Sequence, residues 1–131
     1  MADVIKPPGW PRPRGYAHGM VASGRLLAIA GQLGVDGNGR LVSDEFPDQF
    51  AAAVANVLTV VNTAGGAAHD IIEMTVYVLD RQQYQDARPA IGARWQQQMG
   101  RHYPAMTLVE VKGLVDSGAL VEISALAVLA S

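Results

Sequence analysis

The chain has 131 residues and a formal net charge of −2. This length fits one domain, and we expect residues 1–131 to form it. The sequence contains no cysteine, which excludes disulfides, thiolate zinc sites and cysteine nucleophiles.

The N-terminal region does not look like a targeting segment. Met1 to Tyr16 is rich in proline and arginine and has no apolar core of signal-peptide length. No apolar run reaches the roughly 18 to 20 residues that a membrane span needs. We therefore expect a cytoplasmic protein without membrane contact. Its basic residues are scattered, which argues against nucleic acid as the main partner.

The first half of the chain predicts a pair of strands, a turn and a helix. Apolar stretches from Ala17 to Ala30 flank the polar break Ser23-Gly24-Arg25, which favours two strands joined by a tight turn. Gly34 to Gly39 lacks the order G-x-G-x-x-G and precedes a polar segment, so it indicates a turn, not a phosphate cradle. From Pro47 to Ala64 apolar residues recur at helical spacing, and Gly65-Gly66 ends the predicted helix.

The second half predicts one helix and three strands. A helix follows the strand Ile71 to Leu79. We expect Pro89 in the first turn of this helix and its regular part to begin near Asp86. Gly100 ends this helix. The predicted strands are Ile71 to Leu79, Ala105 to Val111 and Leu120 to Leu129.

The order ββαβαββ indicates an α+β fold, a mixed sheet with two helices on one face. The last strand is nevertheless apolar on both faces, unlike a strand with one solvated face. One face carries Val121, Ile123, Ala125 and Ala127, and the other carries Leu120, Leu126 and Val128. We expect a second copy of the chain to cover the face without helices. The alternative is a modestly apolar face exposed to solvent.

Few residues of the sequence suggest chemistry. His18, His69 and His102 lie too far apart in sequence to pair as metal ligands, so we expect no metal site. Glu122 stands inside an apolar strand, where a carboxylate is costly unless it is paired or used. Glu110 has a similar setting, and for both the alternative is a half-exposed strand residue.

Several segments in chain order, from about Ile5 to Leu129, match one family pattern with compatible spacing. They are Gly15-Tyr16, Gly24 to Gln32, Asn56-Val57, Ala64-Gly65-Gly66, Thr75 to Val78, Tyr103 to Val111 and Val121 to Ala127. Each segment alone is weak, but together they are specific. The chain resembles the Rid (reactive intermediate deaminase, RidA/YjgF) family.

The resemblance implies a chorismate-mutase-like fold and a homotrimer with small-molecule clefts between its subunits. It also implies cofactor-independent and metal-independent hydrolysis of enamines and imines, such as 2-aminoacrylate, to 2-oxoacids and ammonia. In that family the last-strand glutamate positions water, which here is Glu122. Tyr16 and Gly31 match the family's cleft tyrosine and glycine.

The resemblance fails at one position. The family's arginine in "PAR[ST]", which binds the substrate carboxylate, is Met106 here. Arg88 lies near where many relatives carry a cleft asparagine, so it is one candidate replacement. Arg101 and His102, just before the matching strand, are others. The segments around Trp10 and Met106 resemble a Rid-like subgroup that lacks the arginine, and Trp10 either closes the cleft or packs across the first strands.

Two functions follow as hypotheses. The first is an enamine or imine deaminase with a substrate other than 2-aminoacrylate. The second is a non-catalytic trimer that binds a small metabolite as a sensor or chaperone-like protein. Ribonuclease activity, which is associated with some relatives, fits the negative net charge of the chain less well.

Overall fold

The helices and strands come from a computed structural model, which describes residues 2–131. In chain order they are β1 (Asp3–Ile5), β2 (Gly19–Val21), β3 (Arg25–Leu33), α1 (Phe46–Thr63), β4 (Ile71–Val78), α2 (Arg81–Asp86), α3 (Arg88–Met99), β5 (Ala105–Glu110) and β6 (Val121–Leu129). A 3₁₀ turn, Ala68–Asp70, precedes β4. Among these residues there is no helix long and apolar enough to span a membrane.

The helix α1 confirms the helical periodicity of the sequence to within one residue at each end. Pro47 lies in its first turn, where the missing N–H has no helical partner to lose. Gly65 follows with a φ of 92°, a conformation that favours glycine. The buried stripe of α1, which includes Val54, Val57 and Val61, packs on the sheet and forms much of the core.

The main sheet has the strand order β3-β6-β4-β5. The β3–β6 and β4–β6 pairs are antiparallel, and β4–β5 is parallel, so the predicted mixed sheet is confirmed. Along β6 every second residue from Val121 to Leu129 is buried beneath the helices. The residues between them, such as Leu126 and Val128, are half-buried on the other face. We call that second face, which none of the described helices covers, the open face.

The predicted hairpin between the first two strands is wrong. β2 pairs with β1, a strand that the sequence did not indicate, and β3 pairs with β6 instead. The reason lies at Gly24, which has a φ of 149° and lies against the end of β6. A Cβ at Gly24 would overlap the carbonyl oxygen of Leu129. The glycine therefore brings the chain onto β6 and does not form a tight turn.

The predicted second helix is two helices. The short α2 begins at Arg81, with the Asp80 side chain accepting a hydrogen bond from the Gln82 amide. α3 starts at Arg88, not near Asp86, and places Pro89 in its first turn as expected. A proline ring clashes with the turn before it, which explains the break at Ala87. The chain therefore has three α-helices where two were predicted, and the short α2 contacts α1 and α3.

Candidate functional site

Glu122 lies on the open face of the sheet, at the centre of three strands. Its neighbours in register are Leu33 of β3 and Tyr77 of β4. The side chain is half-buried, whereas Val121 and Ile123 beside it are fully buried on the helix face. The structure thus places this carboxylate half-buried on the sheet face away from the helices, between Leu33 and Tyr77.

Gly31 lies directly against this carboxylate. The register between β3 and β6 shifts between Ile29 and Gln32, which places Gly31 beside Glu122. A Cβ at Gly31 would lie 2.8 Å from Cδ of Glu122 and 2.9 Å from its Cγ, and closer still to Oε2. Carbon atoms in contact prefer about 3.5 to 4.0 Å. Only glycine at this position leaves the carboxylate its space.

Asn56 of α1 holds the end of β3 in place. Its side-chain amide donates hydrogen bonds to the carbonyls of Leu33 and Val35, both at 2.9 Å. These bonds fasten the strand just beyond the register shift that brings Gly31 to Glu122. The sequence assigned Asn56 no role, although it stands in a matched segment. Nothing in the helical pattern indicates that its amide reaches β3.

Met106 and Arg88 line one pocket on the opposite side of the sheet. Met106 on the edge strand β5 pairs in register with Met74, which is buried under the helices. The pocket has a volume of about 400 Å³. Its wall also includes Tyr84 and Tyr103, and the Arg88 guanidinium carbon lies 5.7 Å from the centre of the Tyr84 ring. We call this site the Arg88–Met106 pocket.

Arg88 has no carboxylate partner within the part of the chain that the structure describes. The ion pairs there are His69–Asp70 and Arg94–Asp48. Arg88 is exposed at the start of α3. Its charge is therefore available to a ligand that enters beside Met106.

Tyr16 lies at a third place, in a larger cavity of about 610 Å³ that we call the N-terminal cavity. Trp10, Arg101 and His102 line the same cavity. The backbone of Ala17 bonds to the Pro104 carbonyl at 3.0 Å, which fixes this segment beside β5. Trp10 is 60% exposed and lines this cavity together with Val4 and Ile5 of β1.

The structure brings the predicted site residues together only in part. Gly31 and Glu122 touch on the open face, and Arg88 and Met106 share a pocket on the helix face. Tyr16 lines neither of these places. One chain alone therefore does not unite the carboxylate with the available cation.

The histidines are separate, and residues 2–131 hold no group of three or more potential metal ligands. His69 is largely exposed beside Asp70. The ring of His102 bonds through Nε2 to the Ile71 carbonyl at 2.6 Å. His18 lies in the N-terminal cavity between two aromatic rings.

One ion pair links α3 to α1. Arg94 donates a hydrogen bond to Asp48 at 2.6 Å, and the Ser43 hydroxyl donates another at 2.8 Å. The Arg94 bond, with help from Ser43, lowers the pKa of Asp48 below its ordinary value of 3.8. Neither Asp48 nor Arg94 lines the two cavities that hold the predicted site residues.

Known proteins share this architecture. Residues 11–129 match the family model described as Endoribonuclease L-PSP. A solved structure of YyfB from Yersinia pestis, described as a protein of unknown function of the conserved Rid protein family, has a TM-score of 0.87 and 29% identity, with 98% of each chain covered. The chain belongs to the Rid family. This membership confirms the predicted chorismate-mutase-like α+β fold.

Other relatives of this Rid protein cover almost its whole length. A RutC family protein of Pyrococcus horikoshii is 30% identical over 128 residues, which are 97% of this chain and 98% of the relative. The structure of E. coli TdcF with bound serine is 27% identical, with a TM-score of 0.71 and coverage of 98% and 99%. That relative binds a small amino acid.

Proposed function

We propose that this Rid protein is a homotrimer that hydrolyses a small imine or enamine in clefts between its subunits, with Glu122 as the water-positioning base. The observation that carries the proposal is the half-buried Glu122 carboxylate against Gly31, which has no side chain to block it. A carboxylate on an apolar surface is costly unless it is used. Membership of the Rid family supports the reaction class.

The arrangement of the residues supports a site between copies. Glu122 faces the open face, while Arg88 and Met106 face the helix side of the same sheet. A second copy on the open face supplies its own Arg88–Met106 pocket to the first copy's Glu122. Tyr16, beside that pocket, closes the cleft.

The reaction balances with water as the only co-reactant. An enamine first takes a proton at carbon and loses one from nitrogen to become an imine. Water then adds to the C=N carbon, and Glu122 accepts one of its protons and passes it to nitrogen, which gives a carbinolamine. Glu122 next moves the hydroxyl proton of the carbinolamine to nitrogen, so that the C–N bond breaks, the C=O bond forms and ammonia leaves. The products are a carbonyl compound and ammonia.

Met106 determines which substrate fits. Losing a buried arginine partner costs a carboxylate about 2 to 5 kcal/mol, roughly 30-fold to several-thousand-fold in affinity or rate. Methionine instead offers a flexible, polarizable contact for an apolar or aromatic group. We infer that the substrate places an apolar group on Met106 and its anionic group, where present, near Arg88.

The experiment is an ammonia-release assay with imines generated freshly by an amino acid oxidase. We expect little or no acceleration with 2-iminopropionate and a clear rate with imines from leucine or phenylalanine. Glu122→Gln, which keeps the shape of the side chain, should abolish that rate. The deaminase proposal fails if no imine in the panel is hydrolysed above the buffer background.

Met106→Arg tests the substrate inference separately. If the rest of the site is competent, this variant should gain activity on 2-iminopropionate, by at least tenfold over the wild-type chain. The matched control is Met20→Arg, a change on β2 at a residue that lines neither pocket. An equal gain in both variants would show that added positive charge alone accounts for the effect.

A binding function is the second candidate, and the specific observation for it is Met106 itself. Without the arginine, a cleft of this kind still holds an apolar metabolite but fixes it less firmly for chemistry. A thermal-shift screen of metabolites, followed by recovery of the ligand, separates the two functions. Turnover leaves product, whereas binding alone returns the ligand unchanged.

A further inference from the structure

The N-terminal cavity has walls from three separate segments. Residues 4–13 form one wall, Tyr16 to His18 form the base, and Arg101 to Tyr103 form the other wall. The volume of about 610 Å³ lies within the range of metabolite sites. Of the residues that line it, the proposed imine cleft uses only Tyr16 and Tyr103.

The charges around the cavity are all of one sign. Lys6, Arg12 and Arg101 line it together with two histidines, and no aspartate or glutamate is among its lining residues. None of these three cations takes part in an ion pair within residues 2–131. In a chain with a net charge of −2, this local excess of positive charge favours an anion.

The cavity also presents aromatic rings. The rings of Trp10 and His18 meet edge to face with centroids 4.9 Å apart, and those of Tyr16 and His18 at 5.3 Å. Tyr103 is held from behind by Trp95, stacked at 6.0 Å with a 5° angle between the planes. Aromatic side chains in such edge-to-face and stacked arrangements suit a flat apolar ligand.

The wall that carries Trp10 is built to hold its shape. Four prolines between residues 7 and 13 fix their φ angles, and the Trp10 amide donates to the Pro7 carbonyl at 3.3 Å. On the opposite wall the Trp95 indole donates to the His102 carbonyl at 3.0 Å. A site that is ordered before binding loses less entropy when the ligand arrives.

We propose that the N-terminal cavity is a second binding site, for a metabolite-sized aromatic ring that carries a carboxylate or phosphate group. The ring lies between Trp10 and Tyr103, and the anion faces Lys6 and Arg101. The site adjoins the Arg88–Met106 pocket, with which it shares Tyr103, and does not depend on the proposed hydrolysis. Three exposed cations around one cavity fit one anionic group better than the extended backbone of a nucleic acid.

The test uses backbone and indole N–H signals of the full-length protein in ¹H–¹⁵N spectra. The Trp10 indole, assigned with Trp10→Phe, reports on the N-terminal cavity. The Gly92 amide reports on the Arg88–Met106 pocket, which Gly92 lines. The probes are benzoate and phenyl phosphate, with benzyl alcohol as the ring alone and acetate and inorganic phosphate as the anions alone.

We expect benzoate or phenyl phosphate to shift the Trp10 signal with saturation, and the tighter of the two identifies the anionic group. The ring alone and the anions alone should bind at least about tenfold more weakly. Lys6→Gln with Arg101→Gln should raise the Kd of the better probe about fivefold or more, as expected for two partly screened charges. Arg40→Gln is the matched control, because Arg40 is exposed and lines neither cavity, and it should leave that Kd unchanged.

Four results would overturn the proposal. The first is that benzyl alcohol binds as tightly as the charged probes. The second is that no probe shifts the Trp10 indole signal, and the third is that the probes shift only the Gly92 amide signal. The fourth is a single-stranded RNA oligonucleotide that binds Trp10 far more tightly than phenyl phosphate, which would make the cavity a nucleic-acid site. Once the Trp10 signal is assigned, the comparison among probes needs only the wild-type protein, so it decides even if a charge variant fails to fold.

Discussion

At the scale of single residues, the missing side chain of Gly31 lets the Glu122 carboxylate lie against β3. The two residues are far apart in sequence, and the register shift in β3 brings them together. Arg88 and Met106 form a comparable pair on the other side of the sheet. The first pair supplies the carboxylate of the proposed site, and the second pair supplies its cation. Each pair is therefore half of the site that we propose.

Gly31→Ala tests the first pair. The added methyl group overlaps the carboxylate, so Glu122 must rotate away. We expect imine hydrolysis to fall at least tenfold, with about 1 to 3 kcal/mol of stability lost to overpacking. Gly37→Ala is the matched control, because a Cβ at Gly37 meets no atom within 4 Å. Equal activity in the two variants would show that the position of Glu122 against Gly31 does not matter.

The residues of the site differ in how far the sequence predicts them. Glu122 can be recognised in the sequence because a carboxylate in an apolar strand is costly unless it is paired or used. Its contact with Gly31 depends on a register shift, which leaves no mark in the alternation of side chains. The hydrogen bonds of Asn56 to β3 and the shared pocket of Arg88 and Met106 depend on tertiary packing in the same way.

At the scale of helices and strands, elements with a long periodic pattern can be predicted from the sequence, whereas short elements cannot. α1 and β6 each carry a long pattern, helical in one and two-sided in the other, and both were predicted within a residue. β1 and β2 have three residues each, too few for any pattern. Their pairing is therefore not visible in the sequence. The break before α3 follows from Pro89, but the cap at Asp80 that starts α2 was missed.

The ion pair between Arg94 and Asp48 is expected to make the packing of α3 on α1 depend on pH. The folded pKa of Asp48 is lowered, so the stabilisation is fully present above the ordinary value of 3.8 and is lost as the pH falls through the lowered pKa. Asp48→Asn should therefore lower the Tm slightly and by a constant amount between about pH 5 and pH 8. Below pH 3.8 the difference should shrink towards zero.

The control for this prediction is Asp44→Asn, because Asp44 is exposed and belongs to neither ion pair of the described chain. Thermal unfolding followed by circular dichroism at several pH values measures both variants. A Tm difference for Asp48→Asn that grows as the pH falls would contradict the account.

At the scale of the whole molecule, the open face is the main feature that one chain leaves unexplained. Leu126 and Val128 are half-buried there, and Leu26 is 67% exposed. The two-sided apolar pattern of the last strand predicted such a face from the sequence. We infer that other copies cover it, because an apolar surface of this kind usually marks an interface.

Leu126→Asp should separate the copies, since a carboxylate on the open face would be buried without a partner. Light scattering should then give the 13.9 kDa mass of a single chain, against about three times that mass for the wild-type protein. Val115→Asp, at a position 98% exposed in a loop, should keep the wild-type mass. A wild-type protein that is already a single chain would rule out the shared site.

The most direct test of the central claim mixes two inactive variants. Glu122→Gln lacks the base and Arg88→Gln lacks the cation, and we propose that each cleft takes these residues from different copies. After unfolding and refolding together in equal amounts, random assembly should restore imine hydrolysis to about a quarter of the wild-type rate, because half of the copies supply each residue. A rate no higher than the average of the two variants alone would contradict a site shared between copies.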